Sequence, residues 1–259
     1  MVIKSTILSK KDSKLLESAI LSYGRIVSSS QLKNIYGKNY SLEEANNRIS
    51  LLTKVGWLLR IKKGLYVIVT DFSTLGFNDL SIYLIIKALN ENSYISFESA
   101  LQHHGIFDQM LSVIESVTFM RARKYKFQDN KINFLKIKKD YYFGFSRKRI
   151  DSDFVNIADI EKVVLDMLYF RKNSYNISLI WEKLTEYKRD FDFKKLIKYT
   201  KRFNDTIVRK IGFLFDKLGI ETEDLYQIID GKKSYSKMTN DSKQFNSKWR
   251  LYYDDKIIK

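Results

Sequence analysis

Apolar residues recur at helical spacing from near the start of the chain. Between Asp12 and Tyr23 they fall at Leu15, Leu16, Ala19, Ile20 and Tyr23, the stripe of an amphipathic helix, and Gly24 ends it. Ile26 and Val27 form a short apolar link. Ser28 to Ser30 then offer N-caps for a second, short helix that runs to Tyr36 and stops at Gly37. A third helix opens on Ser41 and Glu44, a Ser-x-x-Glu capping box. Its apolar positions Leu42, Ala45, Ile49, Leu52 and Val55 share one side, and Gly56 closes it. After Gly56 the pattern becomes extended. Trp57 to Ile61 and Leu65 to Val69 are β-rich runs joined by Lys62-Lys63-Gly64, a three-residue connection with glycine at the left-handed place of a hairpin bulge. Three helices and a basic-tipped hairpin follow the order of a winged helix-turn-helix, so residues 1–72 are expected to bind DNA with the third helix in the major groove.

The remaining residues, 73–259, mix the two periods. Helical patterns cover Asn78 to Asn92 and Ser96 to His104. Extended runs follow at Glu115 to Met120, Lys131 to Lys138, Tyr141 to Phe145 and Phe154 to Ile157. Helices are then expected over Asp159 to Arg171, Ser178 to Glu186, Phe193 to Phe203 and Asp205 to Leu218. The class is therefore α+β, with a small antiparallel sheet followed by a C-terminal helical bundle. Gly231 to Lys248 is polar and expected to be loose, with Trp249 to Tyr253 able to pin the terminus as a strand. The end of the hairpin places the domain boundary near residues 71–76.

Charge sharpens the expectation for the first domain. The chain carries a formal +16 with a pI near 9.6. Residues 1–70 hold 12 basic and 4 acidic side chains, half of the whole excess in about a quarter of the chain. Such a field attracts polyanions, so nucleic acid is the expected partner. On the third helix Glu43, Asn46, Asn47, Ser50 and Lys54 lie opposite the apolar stripe. Asn pairs with adenine, Ser bonds either base edges or phosphate, and Lys neutralises phosphate. Ser28 at the start of the second helix, and Arg60, Lys62 and Lys63 around the hairpin tip, complete the expected DNA contacts. The plain alternative is a solvated helix face and an ordinary charged turn. Arg48 points to the apolar side and is expected to form a structural ion pair. A second basic group, Arg121, Arg123, Lys124 and Lys126 with Arg147, Lys148 and Arg149, is either a solvated rim or a further contact to DNA or a partner.

Several segments together resemble one family. Leu51 to Tyr66 (LLTKVGWLLRIKKGLY) resembles the winged-helix segment of the AbiEi family, antitoxins of type IV toxin–antitoxin systems. Tyr94 to Gly105 (YISFESALQHHG) and Ile160 to Asp166 (IEKVVLD) resemble two of that family's helices, and Arg209 to Phe215 and Asn246 to Leu251 are similar to its later segments. The order and spacing of these pieces, spread over most of the chain, carry the resemblance. It implies repression of the protein's own operon through inverted repeats bound by the N-terminal domain. It also implies an antitoxic C-terminal domain that can add positive surface towards DNA, and a nucleotidyltransferase-like toxin encoded alongside. Direct contact with that toxin stays open.

A search for chemistry yields no enzyme. Cysteine is absent, which removes disulfides and thiolate ligands. His103 and His104 are the two histidines, and neighbours on a helix diverge too far to chelate one ion, so no metal site is expected. Phosphate-binding loops, zinc-protease and nucleophile-elbow motifs are missing, and no cofactor is expected. The most apolar stretch, Leu80 to Leu89, is broken by Lys87, so no bilayer span is expected either. The opening residues lack the apolar core of a secretory signal, which makes the cytoplasm the expected location. Two rivals to the antitoxin remain: a ligand-responsive transcriptional regulator without a toxin partner, and a nuclease that targets DNA with its winged helix.

Overall fold

The computed structural model describes residues 8–70, 80–151 and 153–256. The chain divides into two compact units: Met1–Glu91 together with Ile150–Asp153, and Asn92–Arg149 together with Phe154–Lys259. The boundary expected near residues 71–76 lies outside the described residues. The chain is mixed α+β.

In the first unit, helix α1 (Lys10–Tyr23) leads into strand β1 (Ile26–Ser28), helices α2 (Ser29–Tyr36) and α3 (Leu42–Lys54), strands β2 (Leu58–Lys62) and β3 (Leu65–Ile68), and helix α4 (Ile82–Leu89). The expected link at Ile26 and Val27 is thus a strand. It pairs antiparallel with β3, Val27 opposite Tyr66, and gives a three-stranded sheet in the order β1-β3-β2. Each helix start is set by a local cap. Ser9 opens α1 by accepting from the Asp12 amide at 3.1 Å. Ser41 accepts from Glu44 N–H at 3.3 Å while Glu44 accepts from Ser41 N–H at 2.8 Å, the reciprocal box that its spacing predicts. The apolar faces then close on one core in which Leu16, Leu32, Ile49, Leu52, Trp57 and Leu58 are buried, each side chain contributing roughly 1.5–3 kcal/mol on leaving water. Arg48 locks α3 to α1 as expected: its Nε and Nη2 donate to the two oxygens of the buried Asp12 at 2.9 and 2.8 Å. Residues 150–153 belong here because Ser81 N–H donates to the Asp151 carboxylate at 3.1 Å and Lys87 pairs with Asp153 at 2.6 Å.

The second unit corrects the expected sheet. Strands β4 (Ser93–Ile95), β5 (Val113–Thr118), β6 (Arg123–Phe127), β7 (Asn130–Lys136), β8 (Phe145–Ile150) and β9 (Asp153–Ala158) form a six-stranded sheet in the order β6-β7-β5-β4-β9-β8. It is mixed rather than antiparallel, with β5 parallel to β7 and β4 parallel to β9. Of Tyr141 to Phe145, expected extended, Tyr141 instead ends a short 3₁₀ turn over Lys139–Tyr141, and Phe145 alone is in a strand, as the first residue of β8. Helices α5 (Phe97–His103), α6 (Ile160–Phe170), α7 (Ser174–Glu186), α8 (Phe193–Thr200), α9 (Asp205–Leu218) and α10 (Glu223–Ile229) accompany the sheet. The stretch expected to be loose carries β10 (Ser236–Lys237) and β11 (Gln244–Asn246), which flank β12 (Leu251–Tyr253) in a small sheet. Helix α6 is the central element, packing on α5, α7, α8 and α9, and Glu161 to Leu168 are all buried, as a helix enclosed on every side requires.

One buried cation has a pH signature. Lys210 on α9 is 1% exposed, and its Nζ donates to the Leu168 carbonyl at the C-terminal turn of α6, 3.4 Å away. Burial, with Lys172 adding repulsion, pushes the ammonium from 10.5 down to about 8. Between those two values the unfolded chain holds more protons, so this group makes stability rise with pH across that window, and its full penalty is present below it. That lowering corresponds to about 3 kcal/mol, from which the lost bond to Leu168 subtracts about 1. Lys210→Met is therefore expected to stabilise the protein by about 2 kcal/mol at pH 7, with the gain shrinking as pH rises through 8 and lost by pH 10.5. Urea denaturation at both ends of that range checks this, and a gain that ignored pH would refute the charge-burial origin.

Candidate nucleic-acid interface

Three elements of the first unit border one groove of about 550 Å3: the start of α2, the exposed face of α3, and the β2–β3 hairpin. From α3 it takes Asn46, Ser50, Thr53 and Lys54, the last three lying four, seven and eight residues after the first, on one side of the helix. The hairpin supplies Arg60, Lys63 and Tyr66, and α2 supplies Ser29 and Lys33. Four cations thus converge, no carboxylate lines the groove, and none of the four is ion-paired among the described residues. Amides and hydroxyls on the helix beside cations on its flanks give hydrogen-bonding groups next to a phosphate-attracting rim.

The hairpin tip differs from its expected geometry. Strand β2 runs on through Lys62, with a shift in register after Arg60, so the turn itself is Lys63-Gly64. Gly64 has φ +77°, and a Cβ there would come 3.2 Å from Ser29 Oγ. Its carbonyl accepts from Ser29 N–H at 2.9 Å, so the tip of the hairpin is seated on the first turn of α2.

The expected contact residues therefore separate. Asn46, Ser50, Lys54, Arg60 and Lys63 come together around the groove. Asn47 is exposed on α3 but does not line it. Ser28 is the N-cap of α2: its hydroxyl accepts from Gln31 N–H at 3.1 Å, and Gln31 returns a bond to Ser28 N–H. Lys62 is turned away, its Nζ donating to the Leu89 carbonyl at the end of α4 at 3.1 Å. Lys33, Ser29, Thr53 and Tyr66 were missed. The geometry of helix-turn-helix motifs, whose first helix crosses the backbone, was the available signal for Lys33.

The two basic clusters of the second unit are not one patch. Arg123 and Lys124 lie on β6, and Arg147, Lys148 and Arg149 on β8, the strands at opposite ends of the sheet. Five inter-strand steps separate them, about 24 Å at the usual spacing. Within the β6–β7 hairpin, Lys126 stands directly opposite Lys131, a like-charge pairing that weakens a hairpin.

Of the segments that resemble AbiEi proteins, Tyr94 to Gly105 meets Ile160 to Asp166 and Arg209 to Phe215 meets Asn246 to Leu251 within the second unit, while Leu51 to Tyr66 belongs to the first unit. Ser96 and Tyr94 donate to the buried Asp166 carboxylate at 2.8 and 3.1 Å, and Lys162 is ion-paired to it. Burial pushes Asp166 up and Lys162 down, each opposed by its partner's charge. Arg209 donates to the Trp249 carbonyl at 3.1 Å, and Gly212 lies against the Trp249 ring. His104 Nε2 sits 2.8 Å from the Ala158 carbonyl oxygen. Among the described residues no group of three histidine or carboxylate side chains could hold a metal ion, and no helix is long and apolar enough to cross a membrane.

No family model matches the chain, and no curated protein matches it in sequence. Among solved structures, a candidate nucleotidyltransferase from H. pylori aligns over 62% of this chain and 89% of its own, at 13% identity and a TM-score of 0.30, a score that bears on neither fold nor function. The Rv2827c protein from Mycobacterium tuberculosis aligns over 98% of this chain and 94% of its own, with a TM-score of 0.69 at 11% identity, so the chain shares its overall fold with that protein.

Proposed function

We propose that the first unit is a winged helix-turn-helix that binds operator DNA, and that the chain is an autorepressing antitoxin. The observation that carries the DNA-binding part is the groove in which Asn46 and Ser50 of α3 stand among Lys33, Lys54, Arg60 and Lys63 with no carboxylate between them. The element order, with β1 closing the hairpin into a three-stranded sheet, supports the same fold. In this arrangement α3 lies in the major groove, Asn46 and Ser50 meet base edges, and the cations meet phosphates. The antitoxin role, with a nucleotidyltransferase-like toxin as the linked partner, is supported by the five segments that resemble AbiEi proteins.

Footprinting on DNA upstream of the protein's own coding region tests this, with binding measured across a salt series. Lys33→Ala with Lys63→Ala should weaken all DNA sequences alike and reduce the salt slope by about 2, near 0.9 per phosphate contact. Lys62→Ala should leave the slope unchanged, because that ammonium is held by Leu89. Asn46→Ala should cost about 1–3 kcal/mol on the operator and little on unrelated DNA. A footprint that survives all of these changes would end the proposal.

A further inference from the structure

The second unit carries a groove of opposite character. Residues 107–109 and one face of α7 enclose about 280 Å3, room for about nine water molecules at their liquid volume. Phe107, Tyr175 and Tyr187 give it aromatic walls, and Asp108 and Glu182 give it carboxylates. Its one cation, Lys183, is drawn onto Glu182 at 2.6 Å and Glu186 at 3.7 Å. Asp108 has no ion-pair partner among the described residues. With Asp108 and Glu182 against Lys183, the formal balance of the groove's lining is −1 on a chain of +16. Charges beyond roughly 8 Å are screened at physiological salt, so the local sign decides what approaches.

Aromatic faces beside carboxylates suit a cation carried on an apolar stem, which packs on the rings and places its charge at the acids. The apolar surface also extends past the groove: Tyr175 is 57% exposed, and Met110, just after residues 107–109, is 97% exposed. Exposed methionine adapts to varied protein surfaces. A small free cation would leave that extension uncovered, whereas a polypeptide segment covers it. We propose that this groove docks a partner protein through an arginine or lysine presented on an apolar segment. The site is separate from the DNA-binding groove and does not depend on the proposed function.

The full-length chain can be titrated with a labelled twelve-residue peptide of alternating leucine and arginine, and with its glutamate counterpart, by fluorescence anisotropy at physiological salt. The arginine peptide should bind and the glutamate peptide should not. Asp108→Asn with Glu182→Gln should weaken binding at least tenfold, and Tyr175→Ala should weaken it in the same direction. Operator binding should be unchanged, which separates failure here from failure of the DNA-binding proposal. Equal binding of the two peptides, or wild-type affinity in both variants, overturns the proposal. So does sedimentation showing that the wild type is a dimer which the carboxamide substitutions dissolve, because the occupant would then be a second copy of the chain.

Discussion

Gly212→Ala is expected to destabilise the second unit by about 3 kcal/mol, the upper end of the usual cost of forcing an extra methyl into a filled core. Gly212 sits within α9, where alanine would ordinarily be the better helix former by about 1 kcal/mol. Here space decides against propensity. A Cβ at this position would overlap the Trp249 ring, and even the third-nearest ring carbon, Cζ2, is 2.5 Å away. Trp249 is fully buried and cannot simply tilt, since its Nε1 donates to Asp216 at 2.6 Å and its backbone carbonyl accepts from Arg209. One methyl therefore displaces the ring, opens the Asp216 bond and loosens Arg209 together. Urea denaturation with tryptophan fluorescence measures the loss. A change below about 1 kcal/mol would show that the ring has room to move, against the packing described above.

Asp166→Ala should cost a similar amount, for an electrostatic reason. Lys162 and Asp166 are fully buried, and rings of Tyr94, Phe143 and Phe203 lie 5.2–5.5 Å from the ammonium. Removing the carboxylate strands a cation away from water and leaves the Tyr94 and Ser96 hydroxyls without their acceptor, at a cost of about 3–5 kcal/mol. Replacing both partners by apolar residues, Lys162→Met with Asp166→Leu, removes the stranded charge and should recover most of that loss. The decisive quantity is the coupling in the cycle formed by Lys162→Met, Asp166→Leu and their double: strictly additive losses would mean that the pair is not an interacting unit.

How much could be read in advance follows the range of each interaction. Local rules worked where the partners are close in sequence. Ser41 and Glu44 announced the start of α3 through their three-residue spacing, Gly64 marked a left-handed turn, and Arg48 was separated from the DNA face by its place on the helical wheel. The face of α3 that meets the groove, Asn46, Ser50 and Lys54, came from that wheel as well. Interactions set by distant chain segments were not visible. Lys62 reads as one more tip lysine until α4 is placed beside it, 27 residues later. Strand β6 was hidden because Arg123, Lys124 and Lys126 give an edge strand the composition of a loop, and α10, only seven residues long, was too short to show a stripe. The parallel pairing of β5 with β7 and of β4 with β9 has no local signature, so neither the mixed sheet nor the separation of the two basic clusters was legible.

That separation has a consequence for how the molecule behaves among its own copies. A sheet normally ends in open rows of amide and carbonyl groups that invite another polypeptide to pair. Here one boundary strand is RKYKF and the other FSRKRI. A second molecule approaching either margin meets repulsion between like charges before any backbone bond forms, so the ladder terminates at six strands and the protein is guarded against fibrous growth.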